Sequence, residues 1–577
     1  MFENIVELYK SQAWDWRITV AVAVLAPLLF TYLITLWEST TLMRQKNAPL
    51  KRPPTLPYVL PYLGHLPSFG VDGNSLLRSA VAKFGTSTPF KLQLPNLVQW
   101  HTSGAEHVQA FFKGKGLSGN LGTIIAMENS FGSPRSSVAF YEADDGGHLP
   151  NPKPGSTVKP EDRIMYEIHK LVNTNLAGES LIGITSRFQN FFAQQLTETD
   201  EIGDEWTEIP DLYAFMQKHM MKAAIISMFG TYILSLNPTF MEDFWAWNPD
   251  MGTLFMGIPR WLIPGAYRRR TKVLENIKRW HKYAHDHFDC SKVGPEDVDW
   301  EPYFGSKFSR RRQAMFGKWK ELDDTAKAAD DFGFIWAANA NAIPAATWFL
   351  LELLFDPALE ARIHREFASA LIPPTDPSHV PVFDINKLCS GPLCQSVYAE
   401  TLRLRVQIMV QRTAVQDVNF CGWAIKKGEK ISISSANEAL DERIWNTGSE
   451  SDPHPLDNFW ADRFLIYPND PTSGPLKPRD AAATSEKVDE RGTPRFSLEG
   501  LGSSWIPFSG APRLCPGRHF AKQEMISGAA IMLAAFEIEL MTRQKPENDK
   551  TYFGFGTLPP KGKIPCRIRR RQRLTRE

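Results

Sequence analysis

The sequence predicts a mostly α fold with a minor β part, a single large domain behind one N-terminal transmembrane helix. Three observations predict it. Ile18 to Trp37 is a run of twenty residues without a charge. Most segments beyond residue 70 repeat their apolar positions with helical period. Strand-like runs are short and lie near 86–101, 407–435 and 562–569, and no internal repeat or composition break divides the chain.

The composition narrows the function classes. Of 577 residues, 43% are hydrophobic and 22% charged, enough apolar material for a large core. Lys+Arg is 65 against Asp+Glu 64, a net charge of +1, so no global field would hold nucleic acid. Six cysteines with no C-x-x-C pair exclude a disulfide scaffold and argue against a structural zinc site. Seventeen Trp and 36 Phe imply bulky apolar packing, suited to a flat or greasy ligand.

The uncharged run predicts a membrane anchor over 18–37, because ~20 residues at ~1.5 Å each cross the hydrocarbon core of a bilayer. Pro27 sits mid-run, which membrane helices tolerate. Trp16, Tyr32 and Trp37 lie toward its ends, where aromatic belts form. Glu3, Glu7 and Asp15 precede it, unlike the basic leader of a cleaved signal peptide. Lys10 and Arg17 come before the span, and Arg44, Lys46, Lys51 and Arg52 after it. That bias makes residues 1–17 lumenal and the body cytosolic, on a single-pass protein. The chain has no usable N-glycosylation sequon, since Asn237 is followed by Pro238. Residues 38–70 form a basic, proline-rich connector, with Pro49, Pro53, Pro54, Pro57, Pro61 and Pro67. Residues 71–577 are then the main domain, with surface excursions at about 141–160 and 465–500.

Three segments carry chemistry. In Phe508-Ser509-Gly510-Ala511-Pro512-Arg513-Leu514-Cys515-Pro516-Gly517, a Gly/Pro loop ends in a cysteine before an Ala/Ile/Met-rich helix. Free N–H groups and the dipole at a helix start favour a thiolate there. Arg513 and Arg518 add positive charge. Cys515 is thus a candidate nucleophile, redox thiol or iron ligand, although a lone cysteine is more often a small buried hydrophobe. In Glu400-Thr401-Leu402-Arg403, the Glu and Arg share one helix face. Asp330 to Leu354 predicts a long Ala/Leu-rich helix. Within it Pro344 withholds an N–H from the carbonyl of Ala340 and leaves polar groups of Asn339, Ala340 and Asn341 in an apolar stretch.

Together these segments resemble the cytochrome P-450 family. Phe508, Arg513, Cys515, Gly517 and Ala521 match its haem-binding loop in register. Ala511 stands where the pattern has glycine, with Gly510 beside it. Glu400 and Arg403, with Phe459-Trp460-Ala461-Asp462-Arg463-Phe464, match its charge triad. The resemblance implies the cytochrome P-450 fold and haem b with Cys515 as axial thiolate. It implies that Phe508 packs under the ring and that Arg513, with Arg412, meets the haem propionates. Glu400, Arg403 and Arg463 would form a buried triad that locks the loop. The family's early Trp-x-x-x-Arg element is absent, and Tyr166 and Lys170 have the spacing to replace it. Where most members carry an acid followed by Thr, this chain has Ala340-Asn341, as in the cholesterol 7α-hydroxylase and prostacyclin synthase branch and fungal secondary-metabolite members. Asn341 can hydrogen-bond but is no proton donor at neutral pH.

The activity so implied is that of a monooxygenase in the endoplasmic reticulum membrane. It would insert one oxygen atom of dioxygen into a lipophilic small molecule (sterol, terpenoid, alkaloid or polyketide), with electrons from NADPH through cytochrome P-450 reductase and no nucleic acid involved. Two alternatives stand beside it. One is a reductase-independent haem-thiolate isomerase or dehydratase acting on a peroxide. The other is a haem-binding membrane protein without turnover. Two further patches are interfacial or solvated in composition: 255–264, apolar with Arg268, Arg269 and Arg270 behind it, and the basic C-terminal run from Lys561 to Arg576, a strand followed by a tail.

Overall fold

The computed structural model describes residues 16–45, 50–95, 97–153, 155–294, 296–376, 378–478, 492–511 and 513–571. The segment before Trp16 that is expected to be lumenal, Lys46 and Pro49 of the connector, Pro512 of the Cys loop, the middle of the 465–500 excursion and the end of the basic tail lie outside these residues. The chain forms two compact units, residues 1–119 with 410–438, and residues 120–409 with 439–577.

The smaller unit begins with the anchor helix, Trp16–Met43. It is longer than the uncharged run, because Glu38 and the Ser/Thr residues after Trp37 continue the helix instead of ending it. The most apolar 18-residue window of the span Ile18–Met43 has mean hydropathy 2.2 and almost no buried surface. The base of the helix is different. Thr35 and Ser39 are buried. The Thr35 hydroxyl accepts from Tyr58 N at 3.3 Å, and the Thr55 hydroxyl donates to Glu38 at 3.4 Å. The connector is therefore folded back on the helix over 55–58. It ends early, since the helix Leu66–Phe84 starts with Pro67 in its first turn, where a missing N–H costs nothing. Strands Phe90–Leu94 and Leu97–His101 form a hairpin. Lys430–Ser434 joins it in parallel, with Ile431 opposite Trp100.

Removing residues 1–34 is expected to free most of the protein from membranes in a sedimentation assay while haem uptake persists, because the cut leaves Thr35 and Ser39 in place. Full retention in the membrane pellet would mean that other apolar surfaces hold the protein there.

The larger unit is built on four helices packed on one another, Gly178–Glu198, Leu212–Phe229, Ala342–Leu354 and Arg518–Ala535. Ala342–Leu354 is apolar on every side and buried along nearly its whole length, as a central helix must be. Gly528 allows the close approach: a Cβ there would lie 2.7 Å from the Met220 methyl and 3.8 Å from Ala346. The helix expected over 330–354 exists as two helices, Asp324–Asn339 and Ala342–Leu354, interrupted at Ala340–Asn341 as Pro344 requires. At the far end, Phe536–Leu540 pairs with Cys566–Arg570, which pairs with Thr207–Ile209. Arg567 and Arg569 of the basic run thereby face Glu539 and Glu537.

A buried charge cluster ties Asp324–Asn339 to its neighbours. Arg312 donates to Asp331 at 2.9 Å and to Asp330 at 2.7 Å. Tyr141 donates to Asp330 at 2.8 Å, and His281 lies 2.9 Å from Asp331.

Candidate haem site

The Cys loop runs into the helix Arg518–Ala535, which starts two residues after Pro516, with Gly517 as its cap. Cys515 N donates to Phe508 O at 2.9 Å and closes the loop on itself. The tight turn inside falls on Ser509, with φ of 65°, so the glycine missing at 511 is not needed for it. Cys515 is an exposed residue with protein packed round its loop. Burial pushes its thiol up, and the N–H groups of Gly517 and Arg518 with the Arg518 guanidinium pull it back only in part. The helix start therefore helps the thiolate, as its position suggests, but protein alone does not secure it. A metal cation at the sulfur would.

Arg513 gives a second sign of an anionic, metal-bearing guest. Its guanidinium is mostly buried, yet among the described residues it donates only to neutral groups, His148 Nδ1 at 2.8 Å and the Asn120 side-chain oxygen. Burial holds its pKa below the usual arginine value, with no carboxylate to offset that among the described residues. A desolvated cation with neutral partners suits a carboxylate ligand. The excursion expected on the surface at 141–160 is what carries His148 here. It is held by Arg163, which donates to the carbonyls of Gly147, Leu149 and Pro150. His169 packs edge-on against His148, with ring centroids 5.0 Å apart, and its pKa is lowered by burial and by Arg513. Donor set and charge thus fit a haem, with Cys515 on the iron and Arg513 on a propionate.

Lys170 is not part of this group. It is more than half exposed, 3.9 Å from Glu167, and lies over the ring of Tyr166. The side chain of that helix that reaches Arg513 is His169, one residue earlier. Arg412, in the smaller unit, donates to the carbonyls of Phe111 at 2.7 Å and Phe112 at 3.1 Å and is buried.

The three residues of the triad that the resemblance implies are in contact and fully buried. Arg403 donates to both oxygens of Glu400, at 2.7 and 2.8 Å, and Arg463 to one, at 2.9 Å. Trp460 N adds a fourth donor at 3.1 Å. Burial opposes the charge on Glu400, but Arg403 and Arg463 outweigh it and hold the carboxyl below its usual value. The surplus positive charge is spread over carbonyls, those of Ala439 for Arg403 and of Asn446, Pro455 and Asn458 for Arg463. Sequence reasoning missed the tie from triad to loop. Trp505 Nε1 donates to Ala399 O at 3.0 Å, beside Glu400, and its ring meets Phe508 at 6.2 Å.

Ala340 and Asn341 line a small cleft, about 20 Å³, with Asn248, Trp336, Phe555 and Thr557. Asn339 turns away and donates to Ile335 O at 2.9 Å.

The fold and this site define a haem-thiolate protein, and comparison with known proteins agrees. The cytochrome P-450 family model matches residues 157–459 and 490–566. The cytochrome P-450 monooxygenase fsoE of Humicola fuscoatra is 41% identical over 94% of this chain and 92% of its own length. The cholesterol 7-alpha-monooxygenase of Cricetulus griseus is 24% identical over 88% of this chain and 91% of its own length. Among solved structures, the retinoic acid-bound cyanobacterial CYP120A1 superposes with a TM-score of 0.59 at 18% identity, covering 90% of this chain and all of that one. The chain belongs to the cytochrome P-450 family and is a monooxygenase of it, with fungal relatives.

Proposed function

We propose that this monooxygenase inserts one atom of dioxygen into a lipophilic secondary metabolite, with electrons from NADPH delivered by a reductase flavoprotein at the endoplasmic reticulum membrane. The haem, when bound, supplies dioxygen activation. The observation that carries the reading is the pairing of Cys515, with two N–H groups on its sulfur, and Arg513, a buried cation with neutral partners only. Cys515 Sγ is the iron ligand, and Phe508 closes the loop beneath it. Arg513, positioned by His148, would bind a propionate. Glu400, Arg403 and Arg463 hold the loop rigid through Trp505. The small cleft at Ala340 and Asn341 forms one edge of the substrate site. A sterol-like skeleton is one such substrate, in keeping with the sterol that the Cricetulus griseus enzyme's name records. The anchor holds the protein at the bilayer in which such substrates dissolve.

The test is incubation of membranes containing the protein with lipophilic candidates, with and without NADPH and reductase. Product that carries ¹⁸O from ¹⁸O₂ and requires both is the expected result. Full turnover of a peroxide substrate without either would replace the reading by the isomerase one.

A further inference from the structure

The break at Ala340–Asn341 has a cap that caps something else. Asn341 is the cap residue of the helix Ala342–Leu354, and an asparagine there ordinarily turns its amide oxygen onto the N–H of the second or third helical residue. It makes no such bond. The third helical residue is Pro344, which has no N–H to offer. The oxygen instead accepts from the backbone N–H of Thr557 at 2.9 Å.

Thr557 belongs to the strand Phe555–Thr557, which pairs on one side with the start of Val406–Ala414 and ends the sheet there. An edge strand points a row of N–H groups away from its neighbour without ladder partners. Asn341 satisfies one of them. Gly556 makes the approach possible, because a Cβ there would lie 1.8 Å from the Asn341 oxygen. The same helix holds the strand once more, through Trp348 Nε1 donating to Leu558 O at 2.8 Å. Phe555, on the strand, packs against Phe255 with ring centroids 5.5 Å apart. Helix break, strand and the Asn248–Gly252 segment are walls of one cleft.

We propose that Asn341 is a positioning residue. Its amide oxygen clamps the edge strand Phe555–Thr557 to the helix break, with Gly556 as the small residue the clamp requires, and so fixes the shape and selectivity of the substrate cleft. Its part in selectivity rests on reading that cleft as the substrate site. The clamp itself does not.

The test uses haem-loaded full-length protein and two readouts. The first is hydrogen–deuterium exchange at Thr557. The second is the optical titration of imidazole against a bulky triphenylmethyl imidazole. Asn341→Ala is expected to speed Thr557 exchange about tenfold, the factor that ~1.4 kcal/mol for one lost hydrogen bond corresponds to. It should weaken the bulky ligand and leave imidazole unchanged. Asn341→Asp keeps an acceptor oxygen, and a carboxylate is tolerated at a helix start, so it should restore slow exchange. Gly556→Ala should act like Asn341→Ala, and the double variant should be no worse than either. If Asn341→Ala does not take up haem, Asn341→Gln serves in its place: fast exchange supports the clamp and unchanged exchange overturns it. Unchanged exchange in Asn341→Ala, or additive effects in the double variant, would likewise overturn it. A wild-type protein that shows slow Thr557 exchange but turns over no lipophilic substrate would refute the oxygenation reading and leave the clamp standing.

Discussion

Cys515→Ala is expected to abolish the absorption at ~450 nm of the reduced, carbon monoxide-treated protein, the mark of thiolate ligation. No other described cysteine can take its place. Cys290, Cys394 and Cys566 are buried, and burial, with nearby carboxylates adding to it, pushes each thiol up, to about 12 for Cys290 and Cys566. Burial likewise pushes Cys389 up, to about 11. Cys421 lies in the smaller unit, in the turn after Val418–Phe420. Arg513→Ala, by contrast, should keep the band and load less haem, since it removes a propionate partner and not the ligand. A ~450 nm band that survives Cys515→Ala would remove this cysteine from the iron.

Glu400→Ala carries the second large effect. It leaves the guanidinium groups of Arg403 and Arg463 buried side by side, with carbonyls as their only acceptors among the described residues. Breaking a buried pair in this way costs ~3–5 kcal/mol, a large share of a typical ~5–15 kcal/mol stability. The expected result is protein that folds poorly and binds little haem, not protein with slower turnover. Arg403→Ala should do the same, because Glu400 then loses the partner that contacts both its oxygens. Haem content per chain and thermal unfolding check this together. Normal haem content in both variants would reduce the triad to an ordinary ion pair.

Much of this site was legible in the sequence because its signals are local. The Cys loop is ten residues of fixed spacing, Glu400 and Arg403 are one helical turn apart, and Pro344 forecasts the break where it occurs. What was not legible depends on contacts between distant segments. Thr557 reaches Asn341 across 216 positions, and its N–H belongs to every residue alike, so no side-chain pattern announces it. His148 comes from a loop whose Gly, Pro and Asp content reads as surface, and only Arg163 gathering its carbonyls turns it inward. Lys170 was placed by spacing alone, which cannot tell which face of the helix Ile164–Asn175 looks toward Arg513. The cluster of Arg312, Asp330 and Asp331 escaped for a similar reason, since each charge taken singly reads as solvated helix surface.

The folded connector gives the anchor a phase as well as a length. Thr35 and Glu38 sit on the face of the helix that Tyr58 and Thr55 grip. One residue added between Trp37 and Glu38 would turn everything before it by about 100° and raise it by ~1.5 Å relative to that grip. Thr35 would leave Tyr58, and a side of the helix now exposed would turn toward the protein. The membrane segment is thus keyed to its unit as a shaft is to a gear, and lengthening it by single residues rotates the assembly before it lifts it.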